Sequence, residues 1–364
     1  MKINILRRLF TAYIIIGKNF GKWVSPIFIG LVILLLRIIV FLFMFIDRIF
    51  IPKLWYKKIE KPIIIVGNPR SGTTFLHRFL VNNGFGTGTQ LWQMIYSSII
   101  LQKLLKPFLP ILEYLSPAKH HSTDAHKTSL TSVETDDASM LFRFFDGFFL
   151  YGFILSWSEK DLFHWVDPAI RDNTKRDFNW FRLMWKRVLI SSKGKRTIAK
   201  LFSLSSTAPQ FISEFPDAKI LYMVRDPLSV IPSGLSLVTG VLDKMFGFWS
   251  LPKIKRDLFI KRLYKALVEL LLRFENDWTK GKIDKSKVMI VHFDRMMNHF
   301  DELMNDIIKF TDHENSEKLL NEISMTSKQQ KEFKSKHKYD LEKFGLNESM
   351  ILNDCKKYYE TFIN

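Results

Sequence analysis

Only one cysteine, Cys355, stands in the 364 residues, so no intramolecular disulfide can form. No Cys/His spacing suggests a zinc site, and no metal is expected. The lone thiol fits a reducing compartment. Acidic residues are also in short supply: 36 Asp and Glu face 54 Lys and Arg, a net charge of +18. Such a balance suits nucleic acid, anionic lipid or acidic small molecules. No basic zipper, zinc finger or RNA-recognition signature is present, so no nucleic-acid partner is expected. No internal repeat or low-complexity tract is apparent. No small-residue cleavage site follows the N-terminal apolar run, which argues against a cleaved signal peptide.

What is present falls into two compositional parts. Residues 1–60 are basic and hydrophobic, and residues 61–364 read as one large α/β domain. Val24 to Ile46 carries a single charge, Arg37, and is long enough to cross a bilayer. A charge at mid-span is costly. Lys and Arg flank both ends, which leaves the orientation open. The alternative is a helix or broken hairpin lying in the interface, its cations on anionic headgroups and its break helped by Pro26 and Gly30. A membrane is therefore an expected partner, by spanning or by lying on it.

The rest is organised around Ile63–Leu76, IIIVGNPRSGTTFL. Three Ile and a Val read as a buried strand. Gly67 ends it, a tight turn follows, and Gly72 opens a helical pattern with Phe75, Leu76, Phe79 and Leu80 on one face. A strand, a glycine turn and a helix N-terminus form an anion site, because the first helical N–H groups are unpaired and the helix dipole favours negative charge. The spacing of Gly67, Gly72, Thr73 and Thr74 matches a P-loop, except that Thr73 stands at the lysine position. Arg70 is the only cation of the turn. This argues against a loop that handles a γ-phosphate. Ser71, Gly72, Thr73 and Thr74 supply the remaining donors.

A second strand, Lys219 to Val224, ends at Arg225-Asp226-Pro227. Asp226 suits a helix N-cap and Pro227 the first helical position. Arg225 can grip a phosphate with two hydrogen bonds, and Ser233, eight residues on, can add one more. Further strands are expected near Ile198 and over Lys287 to Phe293. Helical runs are expected over Leu91–Leu115, interrupted at Pro107 and Pro110, and over Ala138–Trp157, Asp161–Ser192 and Leu258–Trp278, with Trp165, Trp180 and Trp185 as packing residues.

PRSGTTFL resembles the 5′-phosphosulfate loop of sulfotransferases that use 3′-phosphoadenosine 5′-phosphosulfate (PAPS), a family with Lys or Arg where Arg70 stands. FPDAKILYMVRDPLSVIPS resembles the segment that binds the 3′-phosphate there. The resemblance covers about residues 60–360 and is to the bacterial type, here with a membrane-associated segment. It implies a three-layer P-loop-type fold with a mostly parallel sheet. It also implies PAPS as donor, without metal, and a hydroxyl or amine of a lipid, carbohydrate or other small acceptor. Arg70 and Lys200 would serve the leaving side, although the residues around Lys200 depart from the family's Lys-Ser-Pro. Relatives use a histidine or a glutamate as base. Where some have a glutamate after the P-loop helix, this chain has Gln90 and Gln93. That shifts the base to Glu134 or His126, in a His-then-acidic stretch that also holds Asp136 and Asp137. His292-Phe293-Asp294-Arg295 and Tyr339–Leu346 are partial matches to further family elements.

Two other classes are weighed against this one: a P-loop kinase or triphosphatase, and a membrane-anchored nucleotide-binding scaffold without catalysis. A cytoplasmic face fits the donor's supply in bacteria. A Golgi type II arrangement, with Asn347-Glu348-Ser349 as a glycosylation sequon, is the alternative.

Overall fold

Four short strands, Ile63–Val66 (β1), Ile198–Lys200 (β2), Lys219–Val224 (β3) and Val288–His292 (β4), form one parallel sheet in the order β2-β1-β3-β4. The computed structural model describes residues 3–116, 128–332 and 340–364. The chain divides into two units. One comprises Met1–Ile59, Thr87–Lys195 and Leu237–Leu263, and the other Glu60–Gly86, Arg196–Ser236 and Tyr264–Asn364.

The second unit holds the whole sheet. Ile63 pairs with Ile198 on one side and Lys219 on the other, and Tyr222 pairs with Ile290. All four residues of β1 are completely buried, as a central parallel strand covered on both faces must be. One face packs Ile63, Ile65, Leu221 and Met223 against Leu76, Leu80 and Phe79 of the Thr73–Asn82 helix and against Phe300, Leu303 and Ile307 of the Phe300–Phe310 helix. On the other face Tyr222 stacks on Phe274 at 3.5 Å. This is a three-layer α/β arrangement, and each expected strand is present. Asp226 and Pro227 begin the Pro227–Phe246 helix as expected, with the Leu228 N–H on Asp226 Oδ1 at 2.9 Å.

The first unit is helical. Ile5–Phe20 and Ser25–Phe50 are joined through Gly21, which takes a left-handed conformation. The long helix runs unbroken through Gly30, and Pro26 lies in its first turn, where no backbone N–H is needed. The break is therefore at Gly21 and not at Pro26 or Gly30. Leu91–Leu115 breaks at Tyr96–Ser98 as well as around its prolines. There the Asp47 carboxylate accepts from Ser98 Oγ, Ile99 N–H and Ile100 N–H, a cap supplied from the long helix. Ala138–Trp157 is not one helix: it bends by 89° between Phe144 and Phe148, with Phe145 and Gly147 at positive φ. The bend sinks Asp146 into a cluster of Arg171, Arg176 and Arg8. Trp165, Trp180 and Trp185 are buried as packing residues.

Candidate active site

Parallel strands deliver their C-terminal ends to the same edge of a sheet, which is where open α/β sheets bind ligands. Here β2 ends on Lys200, β1 runs into Gly67 and β3 runs into Arg225. The edge thus gathers three cation-bearing segments of the second unit.

The loop after β1 is shaped by its backbone. Gly67 has φ +147°, and a Cβ there would lie 2.9 Å from both Met223 and Ser71. Arg70 (φ +80°) and Gly72 (φ +88°) are left-handed on either side of Ser71, which is not. Such alternation turns successive N–H groups into one anion-binding concavity. The Thr73–Asn82 helix then adds its own unpaired N–H groups. Ser71 is buried, and both its N–H and its hydroxyl donate to Asn68 O, closing the turn. Asn68 in turn donates its amide to Leu267 O at 2.9 Å. Thr73 is nearly buried, and the Thr74 hydroxyl accepts from Lys200 Nζ at 2.9 Å.

Arg70 is a non-glycine residue in a left-handed conformation, which costs about 1–3 kcal/mol and persists only where neighbours impose it. Two neighbours do so. Arg225 Nη1 donates to the Arg70 carbonyl at 2.6 Å, and Arg70 Nε donates to Ser233 Oγ at 2.9 Å. The Arg225 guanidinium lies 3.9 Å over the Phe293 ring. The next residue, Asp226, accepts from the Tyr359 hydroxyl. Burial, then that hydrogen bond, push the Tyr359 phenol far above its ordinary range. Arg70 and the distant pair Arg225 and Ser233 therefore form one directly bonded group, with Lys200 bonded to the same loop through Thr74.

Asn68, Phe293 and Tyr359 were not singled out as site residues from sequence. Asn68 read as a turn residue, Phe293 only as part of a partial family match, and Tyr359 gave no signal because its partner Asp226 is 133 residues away.

Glu134 belongs to the first unit. It is almost fully buried, and its Oε1 accepts from Ser132 Oγ at 2.9 Å. Asp136 accepts from Trp185 Nε1 and Asp137 from Thr135 Oγ1. Gln90 and Gln93 form a capping box at the start of the Leu91–Ile95 helix. His126 lies outside the described residues. Among the described residues no group of three or more His, Cys, Asp or Glu is placed to hold a metal ion.

The profile of the family described as "Sulfotransferase family" matches residues 62–317. The omega-hydroxy-beta-dihydromenaquinone-9 sulfotransferases Stf3 of Mycobacterium bovis and Mycobacterium tuberculosis are each 26% identical over 185 residues. That match spans 49% of this chain and 45% of each relative, less than half of the relatives' own length. Among solved structures, sulfotransferase STF1 from Mycobacterium tuberculosis H37Rv superposes with a TM-score of 0.72 at 16% identity, covering 96% of this chain and 90% of that one. Sulfotransferase STF9 from Mycobacterium avium gives 0.68 at 16% identity, over 88% and 81%. At these identities the structural likeness speaks for the fold.

Proposed function

This chain belongs to the sulfotransferase family, and we propose that it moves a sulfuryl group from PAPS to a hydroxyl of an apolar, membrane-resident acceptor. The observation that carries the reading is the bonded group of Arg70, Arg225 and Ser233 beside the anion-binding loop. A donor with phosphates at both its 3′ and 5′ positions matches two cation-bearing strand ends better than a single-phosphate ligand does. In this reading the loop N–H groups, Arg70, Thr73 and Thr74 hold the 5′ side, while Arg225 and Ser233 hold the 3′-phosphate.

PAPS supplies the sulfuryl group and a phosphate leaving oxygen. By analogy with phosphoryl transfer, the protein's work is to align the acceptor with that oxygen and to neutralise the charge growing on it. Lys200, already held beside the loop by Thr74, is suited to the second task. Glu134 is proposed as the base that takes the acceptor's proton, with His126 as the other candidate. Two things support a lipid alcohol as acceptor. The Stf3 relatives are named for a hydroxylated menaquinone. Ser25–Phe50 is, among the described residues, a helix long and apolar enough to reach deep into a bilayer. On this reading the helix anchors the enzyme with its catalytic part on the cytoplasmic side. Neither the family nor Thr73 at the lysine position supports a kinase.

The test is transfer from labelled PAPS into a lipid extract and a panel of alcohols and amines, with heat protection by adenosine 3′,5′-bisphosphate measured alongside. Labelled lipid is the expected result. Protection without transfer to any acceptor would favour a scaffold. Turnover of ATP with magnesium and none of PAPS would overturn the assignment.

A further inference from the structure

The Ser25–Phe50 helix has two different halves. From Arg37 onward one stripe is bonded to the first unit. Arg37 donates from Nε to Phe142 O and from Nη2 to Leu141 O, both at 3.0 Å. Val40 and Met44 are buried on the same face. Asp47 is fully buried, capping the Ile99–Leu105 helix and pairing with Arg187 Nε at 3.0 Å. Residues 25–36 are uncovered on almost every side, including Phe28, Leu31 and Leu35, whereas the second half exposes only its outer face, with Ile38, Phe41, Phe45 and Ile49. So large an exposed apolar surface marks an interaction site.

The preceding helix is tied down as well. Arg8 donates to Phe144 O and Phe145 O. Phe20 stacks on Phe246 at 4.1 Å, and the Trp23 ring lies edge-on to Tyr13.

These bonds limit how the helix can meet a bilayer. The part uncovered on all sides, residues 25–36, is about 18 Å long, whereas the hydrocarbon core is about 30 Å thick. Crossing would draw the bonded half into lipid together with the helix it caps, and with it the exposed Lys103 of that helix and Lys106 just after it. A second apolar stripe lies on that same neighbouring segment. Leu104, Phe108, Ile111 and Leu115 recur at roughly helical spacing, and each is more than half exposed. Lys22, Lys53, Lys103 and Lys106 are exposed next to these apolar segments, the chemistry that meets anionic headgroups.

We propose that this face of the first unit is a one-sided membrane-docking surface: the Ser25–Phe50 helix enters a single leaflet of an anionic bilayer without crossing it, and the 104–115 stripe is a second contact. The proposal deepens the membrane reading above and rests on it.

The test uses the full chain with Lys22→Cys or Lys53→Cys, one at each end of the long helix. Native Cys355 is fully buried, and burial pushes its thiol up to about 12, so it gives little background. Inverted membrane vesicles from expressing bacteria are treated with an impermeant maleimide before and after permeabilisation. Both cysteines are expected to react on the same side to equal extents. If one reacts at least tenfold more only after permeabilisation, the helix crosses. That overturns the one-leaflet inference and leaves the membrane reading standing. In parallel, the double variant Phe108→Asp/Ile111→Asp should sediment at least fivefold less with phosphatidylcholine/phosphatidylglycerol vesicles at an unchanged melting temperature. Unchanged sedimentation would overturn the second contact. A detergent-free dimer that ignores vesicles would mean that a second copy covers this face. A monomer that ignores vesicles would sink the membrane reading as well.

Discussion

Replacing Arg225 by alanine removes more than a phosphate ligand, and the excess can be worked out from its contacts. If Arg225 served only the 3′-phosphate, its loss would weaken adenosine 3′,5′-bisphosphate and leave the 3′-dephospho analogue untouched. The structure adds the bond from Arg225 Nη1 to the Arg70 carbonyl at 2.6 Å and the stacking on Phe293. A charge-assisted hydrogen bond contributes about 1.5–3 kcal/mol, and a partly shielded cation–π contact about 1 kcal/mol. Without the first, Arg70 is freer to leave its left-handed conformation, and the 5′ loop loses part of its preorganisation. The analogue should therefore lose about 1 kcal/mol of affinity, roughly fivefold. The bisphosphate should lose that and its own bidentate contact, about 3–4 kcal/mol in all, or several hundredfold. Calorimetric titration of both proteins with both ligands gives the coupling directly as the difference. Equal losses for the two ligands would refute the 3′-phosphate role. No loss at all for the analogue would refute the claim that Arg225 holds the loop.

The other predictions concern the loop and the fold. Arg70→Ala and Thr73→Ala should each weaken PAPS by about 1–3 kcal/mol in a binding titration with the melting temperature little changed; unchanged affinity in both would count against the loop as the donor site. Asp146 has a different role: burial raises its pKa, but the Arg171 hydrogen bond and the charges of Arg176 and Arg8 outweigh this and hold the carboxyl below its ordinary range. Its contribution is then complete above the unfolded carboxylate value near 4 and is lost as pH falls through the lower folded value. Asp146→Asn should cost about 3 kcal/mol at neutral pH by stranding the buried Arg8 and the half-buried Arg171 and Arg176. The gap between variant and parent in denaturant melts should narrow in acid; a gap constant down to pH 2 would contradict this account.

Local chemistry made part of this molecule legible from sequence. The strand Ile63–Val66, the turn glycines and the helix after Gly72 follow from propensity and periodicity over fourteen residues. The N-cap at Asp226 is equally local. What could not be read is what depends on distant partners. The interruption at Tyr96–Ser98 exists because Asp47 caps the next helix from 51 residues away. The bend after Phe144 exists because Asp146 meets arginines from three other segments. Hydropathy saw Arg37 as a costly charge in an apolar run, whereas its guanidinium is committed to two carbonyls more than a hundred residues away. Gln90 and Gln93 read as a missing carboxylate and turn out to cap a helix.

The same distinction explains why the two halves of the candidate site cannot be treated as separate motifs. The loop after β1 contains a residue at positive φ, Arg70, that is bonded from outside its own short sequence. The restraint comes from Arg225 and Ser233, the residues that resemblance assigned to the other end of the donor. The strain is tolerable because three segments converge on it: the loop after β1, the end of β3 and the first turns of the helix that follows. The Arg225 guanidinium is bonded to the Arg70 backbone carbonyl and the Arg70 guanidinium to Ser233, so both cations are held at the same loop. On the proposed reading, a donor with a phosphate at each end would engage Arg70, Arg225 and Ser233 together, because the packing of the strand ends already joins them.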